Sequence, residues 1–307
     1  METCRRVGVI GLGLMGTAIA ERLLGAGFEV VAWNRTPDKI LPLRDAGAKW
    51  SDNPFRECSR IILSLYNSDV VAEVLSRFED AMRPGQLIID TTTGAPSDAE
   101  AMARRCREQK VSYLEAPVSG SSAQLRRGEA TVIVGGDLAA YQACADLWPL
   151  FGAKVFHVGE SGAASRMKLV TNLVLGLNRA ALAEGLVFAE AIGVDGAQAL
   201  QVLKQSAAYS TVMDIKGGKM LQHDFAPQAK LSQHLKDVRL ILDAAKEHNA
   251  ALCLAELHRE LLEAAETAGL GELDNCAIIE AIRLRARSAN GSCSPFSTGT
   301  PGETGRG

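Results

Sequence analysis

Short, wholly apolar runs alternate along the first half of the chain with longer stretches whose apolar residues recur every three or four positions. "RRVGVIGLG" reads as a buried strand ending in a glycine turn, and "MGTAIAERLLGAG" as the helix after it. "FEVVAWNR" is a second strand. "TPDKILPLRDAG" follows as a helix, with Thr36 as its N-cap and Pro37 in its first turn. The alternation continues through strand "RIILSL", helix "SDVVAEVLSRFEDAM", strand "QLIIDTT", helix "PSDAEAMARRCREQ" and strand "VSYLEAPV". A polar loop then leads to strand "EATVIVGG". Apolar strands between amphipathic helices predict an α/β fold with a parallel, doubly wound sheet of Rossmann type.

Near Gly162 the pattern changes. From there to about Ile192 the residues keep a helical period without a proline, far longer than an ordinary globular helix. Only helical patterns follow: "AQALQVLKQSA", "QHLKDVRLILDAAKEHN", "CLAELHRELLEAAETAG" and "DNCAIIEAIRLRAR". The expected organisation is a dinucleotide-binding domain over 1–161, an all-helical domain over 162–287 entered through the long helix, and a flexible tail over 288–307 rich in Gly, Ser, Thr and Pro. The long helix is apolar around more of its circumference than one packing face needs, which predicts a homodimer or homotetramer.

Composition narrows the function classes. The chain has 307 residues, 47% hydrophobic and 22% charged, with a formal net charge of −3. That balance gives no basic footprint for nucleic acid and no polybasic patch for a membrane. The opening "METCRRVGVIGLGLMG" is too short and glycine-broken for a signal peptide, and no segment approaches the roughly 18 apolar residues of a membrane span. Seven cysteines without a CxxC pair and five scattered histidines predict a reduced, cytoplasmic chain without a metal site.

"GLGLMG" places Gly11, Gly13 and Gly16 in the spacing GxGxxG between a strand and a helix. In that setting the first glycine makes the turn, the second admits a pyrophosphate to the helix N-terminus, and the third lets helix pack on strand. The second strand ends in Trp33, Asn34, Arg35 and Thr36. No carboxylate stands there to accept from the ribose hydroxyls of NAD. Arg35, aided by Asn34 and Thr36, suits the 2′-phosphate of NADP, although a solvated surface arginine would look the same. On the long helix Lys168 and Asn172 lie four apart and share one face. Lys168 is either a lysine whose stem covers apolar surface while its head reaches water, or a working group in a cleft.

Four ordered motifs, "GLGLMG", "DTTTGAP", "EAPVSGS" and "GAASRMKLVTN" with a later Lys236–Asp237 pair, resemble the β-hydroxyacid dehydrogenase (3-hydroxyisobutyrate dehydrogenase) family over residues 5 to 287. "WNRT", "EAPVSGS" and "MKLVTN" look most like its NADPH-dependent glyoxylate/succinic semialdehyde reductase branch. The resemblance implies that Lys168 is the general acid and base, with Asn172 beside it. Ser119 and Gly120 would bind the substrate carboxylate, and Asp237 would stand at the substrate pocket. Thr93 would serve substrate and nicotinamide sides, with Lys236 packed near the nicotinamide. The turn residues Leu12, Leu14 and Met15, and Leu65 after "RIILS", complete the implied cofactor contacts. The substrate would be a small aldehyde acid or its hydroxyacid.

Hydride transfer to an aldehyde builds negative charge on the carbonyl oxygen, which an ammonium about 3 Å away stabilises and protonates. Burial and a cationic nicotinamide would both lower the lysine's pKa. The sequence departs from the family pattern "FxPxF" at Ala229, where the second aromatic is missing, which implies a wider or reshaped pocket. Two other readings are an imine reductase-like NADPH enzyme and a non-catalytic NADPH-binding module. The presence of Lys168 argues against both, and the helical half is short for a 6-phosphogluconate dehydrogenase.

Overall fold

A computed structural model describes residues 5–289. The chain begins with β1 (Arg6–Ile10), α1 (Leu14–Gly25) and β2 (Glu29–Trp33). "TPDKILPLRDAG" is not one helix but a 3-10 turn, Pro37–Ile40, running into the single turn α2 (Leu41–Arg44). Thr36 stands at the N-cap of that 3-10 turn in extended backbone, with Pro37 following it as expected, but its side chain makes no capping hydrogen bond. Next come β3 (Lys49–Trp50), α3 (Pro54–Glu57), β4 (Arg60–Leu63), α4 (Ser68–Arg77), β5 (Leu87–Asp90), α5 (Pro96–Glu108) and β6 (Ser112–Glu115). Asn67 caps α4, its side chain accepting from Val70 N–H at 3.0 Å.

The stretch read as a polar loop holds β7 (Val118–Ser119) and α6 (Ser122–Arg126). A capping box between Ser121 and Gln124 starts α6. Then follow β8 (Thr131–Gly135), α7 (Leu138–Gln142), α8 (Trp148–Phe151) and β9 (Lys154–Gly159). Among the described residues the sheet has nine strands, in the order β3-β2-β1-β4-β5-β6-β8-β7 with β9 against β8. Pairing is parallel from β3 to β6, as expected, but β8 runs antiparallel to β6 and β7. The sheet is therefore parallel-dominated and mixed. Within β2, Val30 and Ala32 enter the core on one face while Val31 and Trp33 enter the core on the other. Burial on both faces explains why these strands read as continuous apolar runs.

The long helix is α9 (Ala163–Ala191), 29 residues. It leads into α10 (Gly196–Gln205), α11 (Thr211–Leu221), α12 (Leu231–Glu247), α13 (Cys253–Ala265) and α14 (Ile278–Ala289). α11 escaped the sequence reading because Gly217 and Gly218 interrupt its pattern. Gly217 is there for closeness: a Cβ would stand 2.5 Å from a methyl of Leu200 on α10. The helical core joins Leu182 and Leu186 of α9 to Met220, Leu235, Leu262 and Ile279. α9 alone among the described helices is long and apolar enough to cross a membrane, a property the sequence reading denied to every segment. It packs on β8, α11, α12 and α14 and carries Lys168 and Arg179 buried against protein, as a core helix does. α14 runs through the first two residues of the stretch read as a tail. Residues 290–307 of that stretch lie outside the described residues.

Candidate active site

The glycine turn sits at the C-terminal ends of β1 and β4. Gly11 has φ +97°, and a Cβ there would lie 2.2 Å from the carbonyl oxygen of Ser64. A Cβ on Gly16 would lie 1.8 Å from the carbonyl oxygen of Gly11, so helix and turn touch at that point. Gly13 is different. Its φ is −78°, and a Cβ would meet nothing within 4 Å. Neither conformation nor protein packing demands a glycine there. The open space lies at the N-cap of α1, which has no side-chain cap and no acidic residue in its first turn. An anion fits such a cradle, which is what a dinucleotide pyrophosphate requires. Leu12 is buried, Met15 half-buried, and Leu14 exposed.

Asn34 ties this turn to the end of β2. Its Oδ1 accepts from Leu12 N–H and its Nδ2 donates to the carbonyl of Thr36, both at 2.9 Å. Both ends of the amide are engaged by protein, so Asn34 shapes the rim. Arg35 and Thr36 are exposed, and the Arg35 guanidinium makes no hydrogen bond or ion pair among the described residues.

The threonines after β5 split into separate tasks. Thr91 Oγ1 donates to the carbonyl of Leu63 at 2.8 Å, and Thr92 Oγ1 accepts from Leu65 N–H at 3.1 Å. Asp90 holds the turn, accepting from Thr92 N–H at 2.8 Å and from the Tyr113 hydroxyl at 2.6 Å. Burial pushes its carboxyl up to about 6 against those bonds. Thr93 contributes its carbonyl, which accepts from Lys236 Nζ at 2.7 Å.

That bond joins the sheet to the helices. Lys236, on α12, also donates to the carbonyl of Tyr66 at 3.2 Å and pairs with Asp237 Oδ1 at 3.1 Å. Asp237 Oδ2 accepts from Asn172 Nδ2 at 2.9 Å. Burial raises the Asp237 pKa, opposed by Lys236 and Lys168. One turn before Asn172, Lys168 is 5% exposed and donates to the carbonyl of Val118 at 2.8 Å. The snorkelling arrangement is therefore not found. Burial lowers its pKa to about 8, Lys236 adds to the depression, and Asp237 opposes it. Val118 immediately precedes Ser119 and Gly120, and Gly120 has φ +146°, a conformation that favours glycine.

The structure thus brings Lys168, Asn172, Lys236, Asp237, Thr93 and the Ser119–Gly120 turn together where the sheet's C-terminal edge meets helices α9 and α12. Two participants escaped the sequence reading. Tyr66 adds a carbonyl and a ring 5.7 Å from Lys236 Nζ. Glu115 binds the start of α9. Its signal was a lone carboxylate closing the otherwise apolar end of β6.

The family described as the NAD binding domain of 6-phosphogluconate dehydrogenase matches residues 6–159. The family described as NAD-binding of NADP-dependent 3-hydroxyisobutyrate dehydrogenase matches residues 162–282. L-threonate dehydrogenase of Cupriavidus necator is 33% identical over 90% of this chain and 95% of its own length. The chloroplastic glyoxylate/succinic semialdehyde reductase 2 of Arabidopsis thaliana is 29% identical, covering 90% of this chain and 79% of its own. A solved structure described as Psf3 in complex with NADP+ and 2-OPP superposes with a TM-score of 0.83 at 27% identity, over 90% of this chain and 99% of that one.

Proposed function

The chain belongs to the β-hydroxyacid dehydrogenase family, NAD(P)-dependent oxidoreductases acting on CH–OH groups, and on that premise we propose that it is an NADPH-dependent reductase of small aldehyde acids. Glyoxylate and succinic semialdehyde are the substrate types, with the matching hydroxyacids in reverse. The observation that carries the reading is the buried ammonium of Lys168, set beside the Asn172–Asp237 pair and the Ser119–Gly120 turn. A buried lysine without a carboxylate bonded to it is costly as mere packing and useful as a proton donor.

The reduced dinucleotide, when bound, supplies the hydride. Gly13 and the open first turn of α1 hold its pyrophosphate, and Arg35 with Thr36 reads the 2′-phosphate. The Ser119–Gly120 turn takes the substrate carboxylate. Lys168 stabilises the negative charge growing on the carbonyl oxygen and gives it a proton, then regains one from water. In oxidation the neutral amine takes the hydroxyl proton. Asn172, braced by Asp237, donates to the same substrate oxygen and sets its distance from Lys168. Lys236 ties α12 to the carbonyls of Thr93 and Tyr66 and so keeps the cleft walls together. Residues 1–161 are the dinucleotide part of this reading, and 162–287 the substrate and assembly part, working as a homodimer or homotetramer.

Initial rates with a panel of aldehyde acids and hydroxyacids, each with NADPH, NADH, NADP and NAD, test the reading. NADPH with a semialdehyde or glyoxylate should give the highest kcat/KM, and Arg35→Ala should erode the preference mainly through KM. Equal or better efficiency with NADH in the unaltered protein would sink the cofactor assignment.

A further inference from the structure

α9 carries no cap of its own. Its N-cap is Gly162, in the left-handed conformation with φ +89°, and no side chain of the adjoining residues bonds its first turn. The cap comes instead from β6, 49 and 50 positions earlier. Glu115 Oε1 accepts from Ala164 N–H at 2.9 Å. Glu115 Oε2 accepts from Ser165 N–H at 3.1 Å and from the Ser165 hydroxyl. A carboxylate at this place satisfies N–H groups that a helix start leaves open, with the helix dipole in its favour. Room for it comes from Gly135, which faces Glu115 in the β6–β8 register. A Cβ on Gly135 would stand 2.3 Å from Glu115 Oε1.

The same segment meets the helix again one turn later. Three residues after Glu115, the carbonyl of Val118 receives Lys168 Nζ, and Ser119 and Gly120 follow directly. Residues 115–120 therefore grip α9 at its first turn and at its lysine, and continue into the substrate turn.

We propose that Glu115 is a positioning residue, which anchors the first turn of α9 so that Lys168 stands at the Val118 carbonyl, at a set distance from the Ser119–Gly120 turn. The inference rests on the reading of Lys168 as proton donor. Glu115 acts through the helix, because both its oxygens are occupied by first-turn donors. Lys168 faces the Val118 carbonyl on β7 and Asp237, Lys236 and His234 on α12, His234 being held neutral chiefly by burial. Of these, Asp237 favours the charged amine, while Lys236 and burial disfavour it. Loosening the first turn admits water to the amine, weakens the effect of burial, and moves its titration up toward that of an ordinary lysine.

The test uses the full chain with Glu115→Gln and Ser165→Ala. Gln keeps the shape but replaces one acceptor by an NH2 that faces the helix donors. Two readouts need no substrate: amide exchange across residues 164–168, and titration of Lys168 followed by NMR of labelled lysine. In Glu115→Gln these amides should exchange about tenfold faster or more, and Lys168 should titrate at higher pH. Its kcat for aldehyde reduction should fall about 10–100-fold, with the NADPH Kd within about twofold, as a small misplacement of a proton donor predicts. Ser165→Ala, which loses only the hydroxyl bond, should shift the same titration by less.

An unchanged Lys168 titration in Glu115→Gln, with only a lower Tm, would overturn the proposal. So would an unchanged titration in Ser165→Ala if Glu115→Gln does not fold. An unaltered protein that reduces no aldehyde with either dinucleotide would instead defeat the proton-donor reading, and the titration would still decide whether Glu115 sets the position of Lys168.

Discussion

Lys168 Nζ lies 2.8 Å from the main-chain carbonyl oxygen of Val118, the carbonyl immediately before the Ser119–Gly120 turn. The ammonium is held by a dipole and has no carboxylate bonded to it. Its charge is stabilised enough to keep its place but not neutralised, which leaves it free to titrate. Asp237, the nearby carboxylate, is taken by Asn172 and Lys236.

Removing the amine should damage the chemical step and spare the cradle. Lys168→Ala should lose about two to four orders of magnitude in kcat, the range for a general acid. NADPH affinity should stay within several-fold, since Gly13 and Arg35 are untouched. Lys168→Arg should not restore turnover, because guanidinium keeps its proton and has a different shape. Single-turnover reduction of succinic semialdehyde or glyoxylate by the arginine variant decides the matter, and near-normal turnover would refute the mechanism.

The direction of pH dependence follows from which form works. Reduction needs Lys168 protonated, and its pKa is held down to about 8. Reductive kcat/KM should therefore be flat below that pH and fall about tenfold per pH unit above it, while oxidation rises through the same midpoint. Asp237 favours the charged amine, so Asp237→Asn should move the midpoint to lower pH. A pH–rate profile of each protein, read for the alkaline limb, checks both statements.

The glycines of the cradle should separate stability from binding. Gly13→Ala enters open space and should change unfolding free energy by less than about 1 kcal/mol, while raising the NADPH Kd at least about tenfold. Gly16→Ala puts a methyl 1.8 Å from the Gly11 carbonyl and should cost about 1–3 kcal/mol or more. Urea unfolding beside fluorescence titration with NADPH measures the pair. Equal effects of both substitutions on both quantities would contradict the geometry.

Met167, Val170 and Val174 form an i, i+3, i+7 stripe on α9, each between 44% and 55% exposed, with Phe188 further along at 62%. Isolated apolar residues on a surface are ordinary, but a stripe along one helix marks an association surface. Light scattering should give a dimer or tetramer mass, and Val174→Glu should shift it toward one chain. A mass near 32.6 kDa for the unaltered protein would count against the assembly.

Arg179 is buried on α9, and its Nε and Nη1 have no hydrogen-bond partner among the described residues. Burial lowers its pKa to about 10, with Asp274 opposing. A buried cation in this state stabilises the fold weakly or not at all. Arg179→Met should leave stability unchanged or raise it by about 1–4 kcal/mol. A loss of more than about 2 kcal/mol by urea unfolding would mean that the guanidinium has a partner in solution.

Local pattern carried much of this molecule. The β1–α1–β2 unit was readable because apolar runs, a glycine spacing and a helical period all agree over about thirty residues. Lys168 and Asn172 were readable as a pair because i, i+4 spacing is a property of the helix itself. What escaped depends on contacts distant in sequence. The antiparallel course of β8 is invisible in its residues, since an apolar strand reads the same in both directions. α11 was hidden by Gly217, whose purpose is the methyl of Leu200 on another helix. Thr36 had the residue type and the backbone position of a cap but not the side-chain bond, and the helix expected after it is a 3-10 turn running into a single α-turn. The role of Glu115 needs a helix about fifty positions away.

The hydrogen bonds of Lys236 across to Tyr66 and Thr93 end on main-chain oxygens, with the Tyr66 ring 5.7 Å from its Nζ. A carbonyl survives replacement of the side chain that shares its residue. The hydrogen bonds on the sheet side are thus indifferent to which amino acids occupy positions 66 and 93, so long as the backbone keeps its path, and only the ring contact depends on the side chain at 66. Substitutions that cut these hydrogen bonds fall on the helix side, at Lys236 and, for a further bond to the Tyr66 carbonyl, at Gln233. The two walls of the cleft are bound together while their genetic exposure is one-sided, so the surface residues at its mouth are free to vary with the substrate without loosening the joint.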